Sequence, residues 1–119
     1  MNEHKKKRGL SKSEIIRSSH EISSIFENGR FLRGRFFDLI WMGDKHRQVA
    51  FAVSKRVRTA VSRNRIKRRL REAYRLEKNG FQENVQLVLI GHEKVLPAAF
   101  DDLRREMQKM ASKARDKII

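Results

Sequence analysis

From Ser54 to Arg75 the sequence reads SKRVRTAVSRNRIKRRLREAYR, and within this basic stretch Ile66, Leu70, Ala73 and Tyr74 recur at helical spacing. With about 3.6 residues per turn these four share one stripe, while Arg68, Arg71 and Arg75 gather on the opposite side. Arg65, Lys67 and Arg69 flank the stripe, where their methylene stems can buttress it while the charged heads reach solvent. Such a segment forms a helix only if the remaining chain supplies an apolar surface to cover its underside. Its outer face is almost unrelieved by acidic partners, with Glu72 the one acid at i+4, whereas an ordinary solvated helix mixes signs to gain about 0.2–0.5 kcal/mol per pair. The charge is therefore there for a partner.

The whole chain carries 29 Lys and Arg against 14 Asp and Glu, a formal net charge of +15. Residues 54–75 hold ten of those cations and one Glu, so nine of the fifteen excess charges sit in less than a fifth of the chain. A focused excess of this kind repels itself unless a polyanion is the usual partner, which makes nucleic acid the leading candidate. Arginine outnumbers lysine here, and its planar fork suits bidentate phosphate contacts and stacking on splayed bases, which favours structured RNA. A merely soluble helix remains the plain alternative. A membrane-surface or calmodulin-target helix fits poorly, because the stripe has no bulky Trp or Phe. Composition alone divides RNA from DNA poorly.

The 119 residues suit one domain with a modest core, since 39% of them are hydrophobic. Cysteine is absent, which removes disulfides, thiolate metal sites and cysteine nucleophiles and points to a cytoplasmic protein. The opening MNEHKKKRGLSKS is not followed by the apolar run of a signal peptide, and no window approaches the roughly 20 apolar residues of a membrane span. Residues 1–14 read as a basic flexible tail, 15–115 as a single RNA-binding domain, and 116–119 as a C-terminal tail.

Ser18 and Glu21 have capping-box spacing, predicting a helix that ends at Gly29 with Ile22, Ile25 and Phe26 on one face. Phe36–Met42 and Arg47–Ser54 read as two antiparallel strands joined as a hairpin around Gly43–His46. After the basic helix, VQLVLIG (Val85–Gly91), β-branched and Leu-rich apart from Gln86, has the apolar character of a buried strand. Pro97 suits the first turn of a last helix, whose Phe100, Leu103, Met107, Met110 and Ala114 form a core-facing stripe. The order α-β-β-α-β-α predicts an α+β single-domain sandwich, a small sheet with helices packed on one side.

Ser54-Lys55-Arg56 followed by Ala60-Val61-Ser62-Arg63-Asn64-Arg65-Ile66-Lys67-Arg68-Arg69-Leu70-Arg71-Glu72 closely resembles the signature of the bacterial ribonuclease P protein subunit. The similarity runs from about Ile16 to Met110 and includes a short helix ending in Phe-x-x-Gly, Phe26 to Gly29. It implies a fold like the second domain of a small-subunit ribosomal protein. It also implies a ribonucleoprotein endoribonuclease whose RNA is the catalyst and requires Mg²⁺, with no catalytic residue and no cofactor supplied by the protein. The implied partners are ribonuclease P RNA and precursor tRNA, with no membrane and no protein partner required. The residues agree: His4, His20, His46 and His92 are scattered, with no metal-binding spacing, and only His92-Glu93, following a strand, is less bland.

By the same resemblance, Lys55, Arg56, Arg58, Arg63, Asn64, Arg65, Lys67, Arg68 and Arg71 contact the catalytic RNA and the start of the 5′ leader. Asn64 adds little to phosphate affinity, so it either fixes register on the RNA or caps the helix. The leader cleft, between the first helix and the exposed sheet face, has Ile22, Phe26, Phe37 and Ile40 as its candidates. Ile22 and Ile40 stand where the family often has an aromatic, which shifts base stacking toward Phe26, Phe37 or Trp41; any of these residues is alternatively core. The competing reading is a structural RNA-binding protein such as a ribosomal component, and a self-sufficient protein nuclease is a third. Both RNA-binding readings predict steep salt dependence, so dependence on the leader must separate them.

Overall fold

The computed structural model describes residues 10–118. Residues 1–9 of the expected tail, His4 among them, and Ile119 lie outside the described residues. Helix α1 spans Ser19–Asn28, strands β1, β2 and β3 span Arg30–Leu32, Phe37–Gly43 and Gln48–Val53, and helix α2 spans Ala60–Glu77. Strand β4 (Val85–Gly91) and helix α3 (Phe100–Ile118) complete the chain, with short 3-10 turns at Lys12–Glu14, Lys78–Gly80 and Glu93–Val95.

The α1 boundaries follow from its caps. The Ser18 hydroxyl accepts the Glu21 amide, and the Gly29 amide donates to the Ile25 carbonyl. Helix α3 begins three residues after Pro97 rather than around it, and it continues through 116–118, the stretch read as a tail. Strand β1, a three-residue edge strand, is too short to carry a sequence pattern of its own.

The sheet order is β1-β2-β4-β3, with β4 antiparallel to β2 and parallel to β3. The expected hairpin is therefore not formed. The two strands do run antiparallel, but β4 lies between them. Six of the seven β4 residues are buried, so the strand is satisfied only with a neighbour on each edge. The β2–β3 connection crosses the entrance of β4, where the Asp44 amide donates to the Asn84 carbonyl at 3.0 Å. Helix α2 is the crossover that a parallel β3–β4 pair requires.

Strand alternation then sorts the side chains onto two faces. Phe37, Leu39, Trp41, Val49, Val53, Leu87 and Leu89 point to the face covered by α2 and α3, where they meet Ile66, Leu70, Tyr74, Leu103 and Met107. Ile40, Ala50 and Val88 point the other way and pack with Ile16 and Ile25 beneath α1. The α+β class stands, but one-sided helix packing holds only for α2 and α3; α1 covers the opposite face, because the alternate residues of the inner strands are apolar too. At the end of β4, a Cβ on Gly91 would collide with Ile66 and Leu70, so a glycine lets α2 sit this close to the sheet.

Candidate nucleic-acid interface

Ile66, Leu70, Ala73 and Tyr74 are all fully or almost fully buried, as their spacing requires. Burying a side chain such as Ile66 or Leu70 contributes roughly 1.5–3 kcal/mol each, which outweighs repulsions of a few tenths per like-charged pair along the outer face. Burial also pushes the Tyr74 hydroxyl well above its usual pKa, so it stays neutral within the core. Helix α2 is thus a rigid cationic rod set on the sheet.

Its N-cap is Thr59, whose hydroxyl accepts the Ser62 amide at 3.2 Å. Asn64 is therefore not a cap. It is exposed within the helix and shares a stripe with Arg68, Arg71 and Arg75, at steps of four, three and four. Arg65, Lys67, Arg68 and Arg71 are exposed as well, as are Lys55, Arg56 and Arg58 on the turn leading into the helix. The Arg71 guanidinium lies 5.6 Å from the centre of the Phe51 ring, and Arg75 is bonded to Glu72.

Arg63 has a different task. Its guanidinium donates to the carbonyls of Val53, Ser54 and Val57 at 3.3, 3.0 and 2.7 Å. It staples the Ser54–Arg58 turn to the first turn of α2, and so it aims Lys55, Arg56 and Arg58 rather than presenting a wholly free head. Arg69 is likewise drawn inward, donating to the Ala98 carbonyl at 2.6 Å.

The candidate cleft residues separate. Phe37 is fully buried on the α2–α3 face, one strand position out of phase with any cleft under α1, and it is excluded from it. Trp41 is core on that same face. Ile40 is on the α1 face but only 4% exposed. Phe26, at 48%, stands out from α1, and the partly buried Ile22, Met42, Ala52 and Ile90 continue the apolar surface beneath it. This face is floored by aliphatic residues and carries two exposed rings, Phe26 on α1 and Phe31, 50% exposed, which β1 sets opposite Ile40 and which the sequence reading did not single out.

The sequence reading missed a hydrogen-bonded pair at the far end of this face. His92 Nε2 lies 3.0 Å from Asp38 Oδ1, which also accepts the Gly34 amide at 3.1 Å. Asp38 is 54 residues from His92, so only the β2–β4 pairing brings them together.

The family model described as Ribonuclease P matches residues 10–115. The chain belongs to the ribonuclease P protein family. It is 35% identical to the ribonuclease P protein component of Chlorobium phaeobacteroides over 129 aligned positions, covering 89% of this chain and 88% of that protein. Against the component from Finegoldia magna the identity is 29%, covering 91% and 96%. The fold matches the ribonuclease P protein of Thermotoga maritima with a TM-score of 0.74 at 21% identity, over 84% of this chain and 96% of that one. The Staphylococcus aureus protein superposes with a TM-score of 0.71 at 20% identity, covering 87% and 96%. As in the sequence reading, the ribonuclease P protein signature falls on the turn and helix that carry the exposed cations.

Proposed function

We propose that this chain, as the protein subunit of ribonuclease P, binds the catalytic RNA through the Lys55–Arg58 turn and the outer face of α2. It takes the 5′ leader of precursor tRNA against the α1 face of the sheet, with Phe26 and Ile22 beside it, and so promotes endonucleolytic removal of the leader. The chemistry is the RNA's, carried out with Mg²⁺, and the protein contributes positioning and charge in the cytoplasm.

One observation carries this reading: Lys55, Arg56, Arg58, Arg65, Lys67 and Arg68 are all exposed along the turn and α2, and none forms an ion pair with a carboxylate among the described residues, whereas Arg104 and Arg105 of α3 pair with Glu77 and Asp102. Unpaired arginines around a rigid helix leave their donors available for phosphate. The exposed Asn64 among them supports a hydrogen bond to a base or sugar that sets register. On the α1 face, stacking of Phe26 on an unpaired base contributes about 1–3 kcal/mol.

Reconstitution with a ribonuclease P RNA at low Mg²⁺ tests the proposal. The protein accelerates 5′ cleavage of precursor tRNA and binds leader-bearing tRNA more tightly than mature tRNA. Failure to stimulate cleavage would leave the alternative of a structural RNA-binding protein, and cleavage without added RNA would indicate a protein nuclease.

A further inference from the structure

The connection between β1 and β2, Arg33-Gly34-Arg35-Phe36, is held from outside by α3. The Glu106 carboxylate accepts the backbone amides of Arg35, Phe36 and Phe37 at 3.0, 2.8 and 3.1 Å. A Cβ on Gly34 would collide with the Phe37 carbonyl, the Glu106 carboxylate and the Met110 side chain, so the backbone presses against α3 where only glycine fits. Asp38 ties the same loop to His92. Two arginines are thus mounted on a backbone fixed at both ends.

These arginines open onto a concavity of about 260 Å³ at the end of the sheet, whose wall also includes Arg56, Lys94, Asp38 and His92. Four cations line it against two carboxylates, Glu93 and Asp38, and Asp38 already accepts from Gly34 and lies against His92. Gathering like charges around one hollow is unfavourable without an anion, and guanidinium groups carried on a held backbone suit phosphate oxygens. The hollow is also continuous with surfaces described above. Asp38 and Ala52 both flank Ile90 across the sheet, which places them in one row on the α1 face, and the row leads to Ser54 and Arg56 at the hollow's rim.

We infer that this hollow is a phosphodiester-binding site for RNA, distinct from the outer face of α2, with Arg33, Arg35, Arg56 and Lys94 as its phosphate ligands. Gly34 and Glu106 are positioning residues that hold the loop. The inference rests on the RNA-binding reading above and adds to it a second contact, at the end of the α1 face. The phosphate belongs either to the leader or to the catalytic RNA, and both present the same chemistry.

The test uses the full chain reconstituted with ribonuclease P RNA, comparing wild type with Arg33→Ala/Arg35→Ala and, separately, Lys94→Ala. Affinities for leader-bearing precursor tRNA, mature tRNA and the catalytic RNA are measured across a salt series. The loop variant weakens one of these by about tenfold, the effect expected of a lost charged hydrogen bond, and flattens its log–log salt dependence by about 0.7–0.9 per lost phosphate contact. A loss confined to leader-bearing tRNA assigns the phosphate to the leader, and a loss in binding the catalytic RNA assigns it there. Unchanged affinities and slopes in both variants overturn the inference. If the loop variant fails to fold, Lys94→Ala, which is outside the loop, decides alone. A wild-type protein that failed to stimulate cleavage would count against the subunit reading, while the salt slopes for RNA binding would still decide the hollow.

Discussion

The carboxylate of Glu106 accepts the backbone amide of Phe36 at 2.8 Å, joining the last helix to a loop 70 residues earlier in the chain. The amides of Arg35 and Phe37 share that carboxylate. Removing it in Glu106→Ala leaves three amides without their acceptor, one exposed and two partly buried, and because water can reach them the net loss is about 1–3 kcal/mol in all. Urea unfolding measures it. Glu106→Gln keeps one carbonyl acceptor and shows a smaller loss.

Arg63 and Arg68 differ by five positions on one helix and have opposite expected phenotypes. Arg63→Ala frees three backbone carbonyls and destabilises the fold by about 1–3 kcal/mol, weakening RNA binding through disorder of the Lys55–Arg58 turn. Arg68→Ala and Arg65→Ala change stability by less than about 0.5 kcal/mol but weaken RNA binding and lower its salt slope by about 1 each. Arg104→Ala, which breaks the pair with Glu77, leaves RNA affinity near wild type. Parallel denaturation and salt-dependent binding separate the three behaviours, and equal RNA-binding losses at 65, 68 and 104 would contradict the assignment.

Phe26 and Phe37 test the two faces of the sheet. Phe37→Ala empties a fully buried site and costs about 3–5 kcal/mol in thermal or chemical unfolding. Phe26→Ala, at a half-exposed ring, is close to neutral for stability and reduces the preference for leader-bearing over mature tRNA. A preserved preference in a folded Phe26→Ala protein removes this ring from the leader contact.

Thr59 and Asn64 divide capping from recognition. Thr59→Ala loses the bond to the Ser62 amide and costs about 1 kcal/mol. Asn64→Ala leaves stability nearly unchanged and affects only RNA binding. Circular dichroism melts beside binding measurements give both outcomes.

Glu14, from the segment preceding α1, meets Lys78 beyond the end of α2 at 2.8 Å. Burial pushes its carboxyl up, but the Lys78 hydrogen bond and charge, with bonds from Ser11, together hold it below its ordinary 4.5. A depressed carboxylate stabilises the fold above the unfolded value and ceases to do so as pH falls through the lower folded value. Glu14→Gln therefore loses up to about 1 kcal/mol at neutral pH, and the difference from wild type vanishes in acid well below pH 4.5. A pH series of urea midpoints reads this convergence.

Periodicity made α2 legible from its residues alone: Ile66, Leu70, Ala73 and Tyr74 are buried, and Arg65, Lys67, Arg68 and Arg71 are exposed, because helix geometry sorts nearby residues whatever lies beneath them. Local hydrogen bonding likewise set the limits of α1, through Ser18 and Gly29. The apolar run Leu87–Ile90, with Val85 before it, marked β4 as buried on both faces. These are properties of short sequence spans, and so they were determined by the sequence itself.

Pairing between distant segments was not. Two strands with a four-residue connection suggest a hairpin, yet β4 enters between them, because an interior strand gains neighbours on both edges and nothing in the β2 and β3 residues records that competition. The same pairing decided that Phe37 is core rather than cleft: alternation says which residues share a face, but only the docked helices say which face is covered. Strand pairing also brought His92 to Asp38, and helix docking brought Glu106 to Phe36, contacts between residues 54 and 70 positions apart. The chain alone determined which helix carries the charge; tertiary packing decided where that charge points and what surrounds it, since long-range hydrogen bonds and burial exist only once the elements have met.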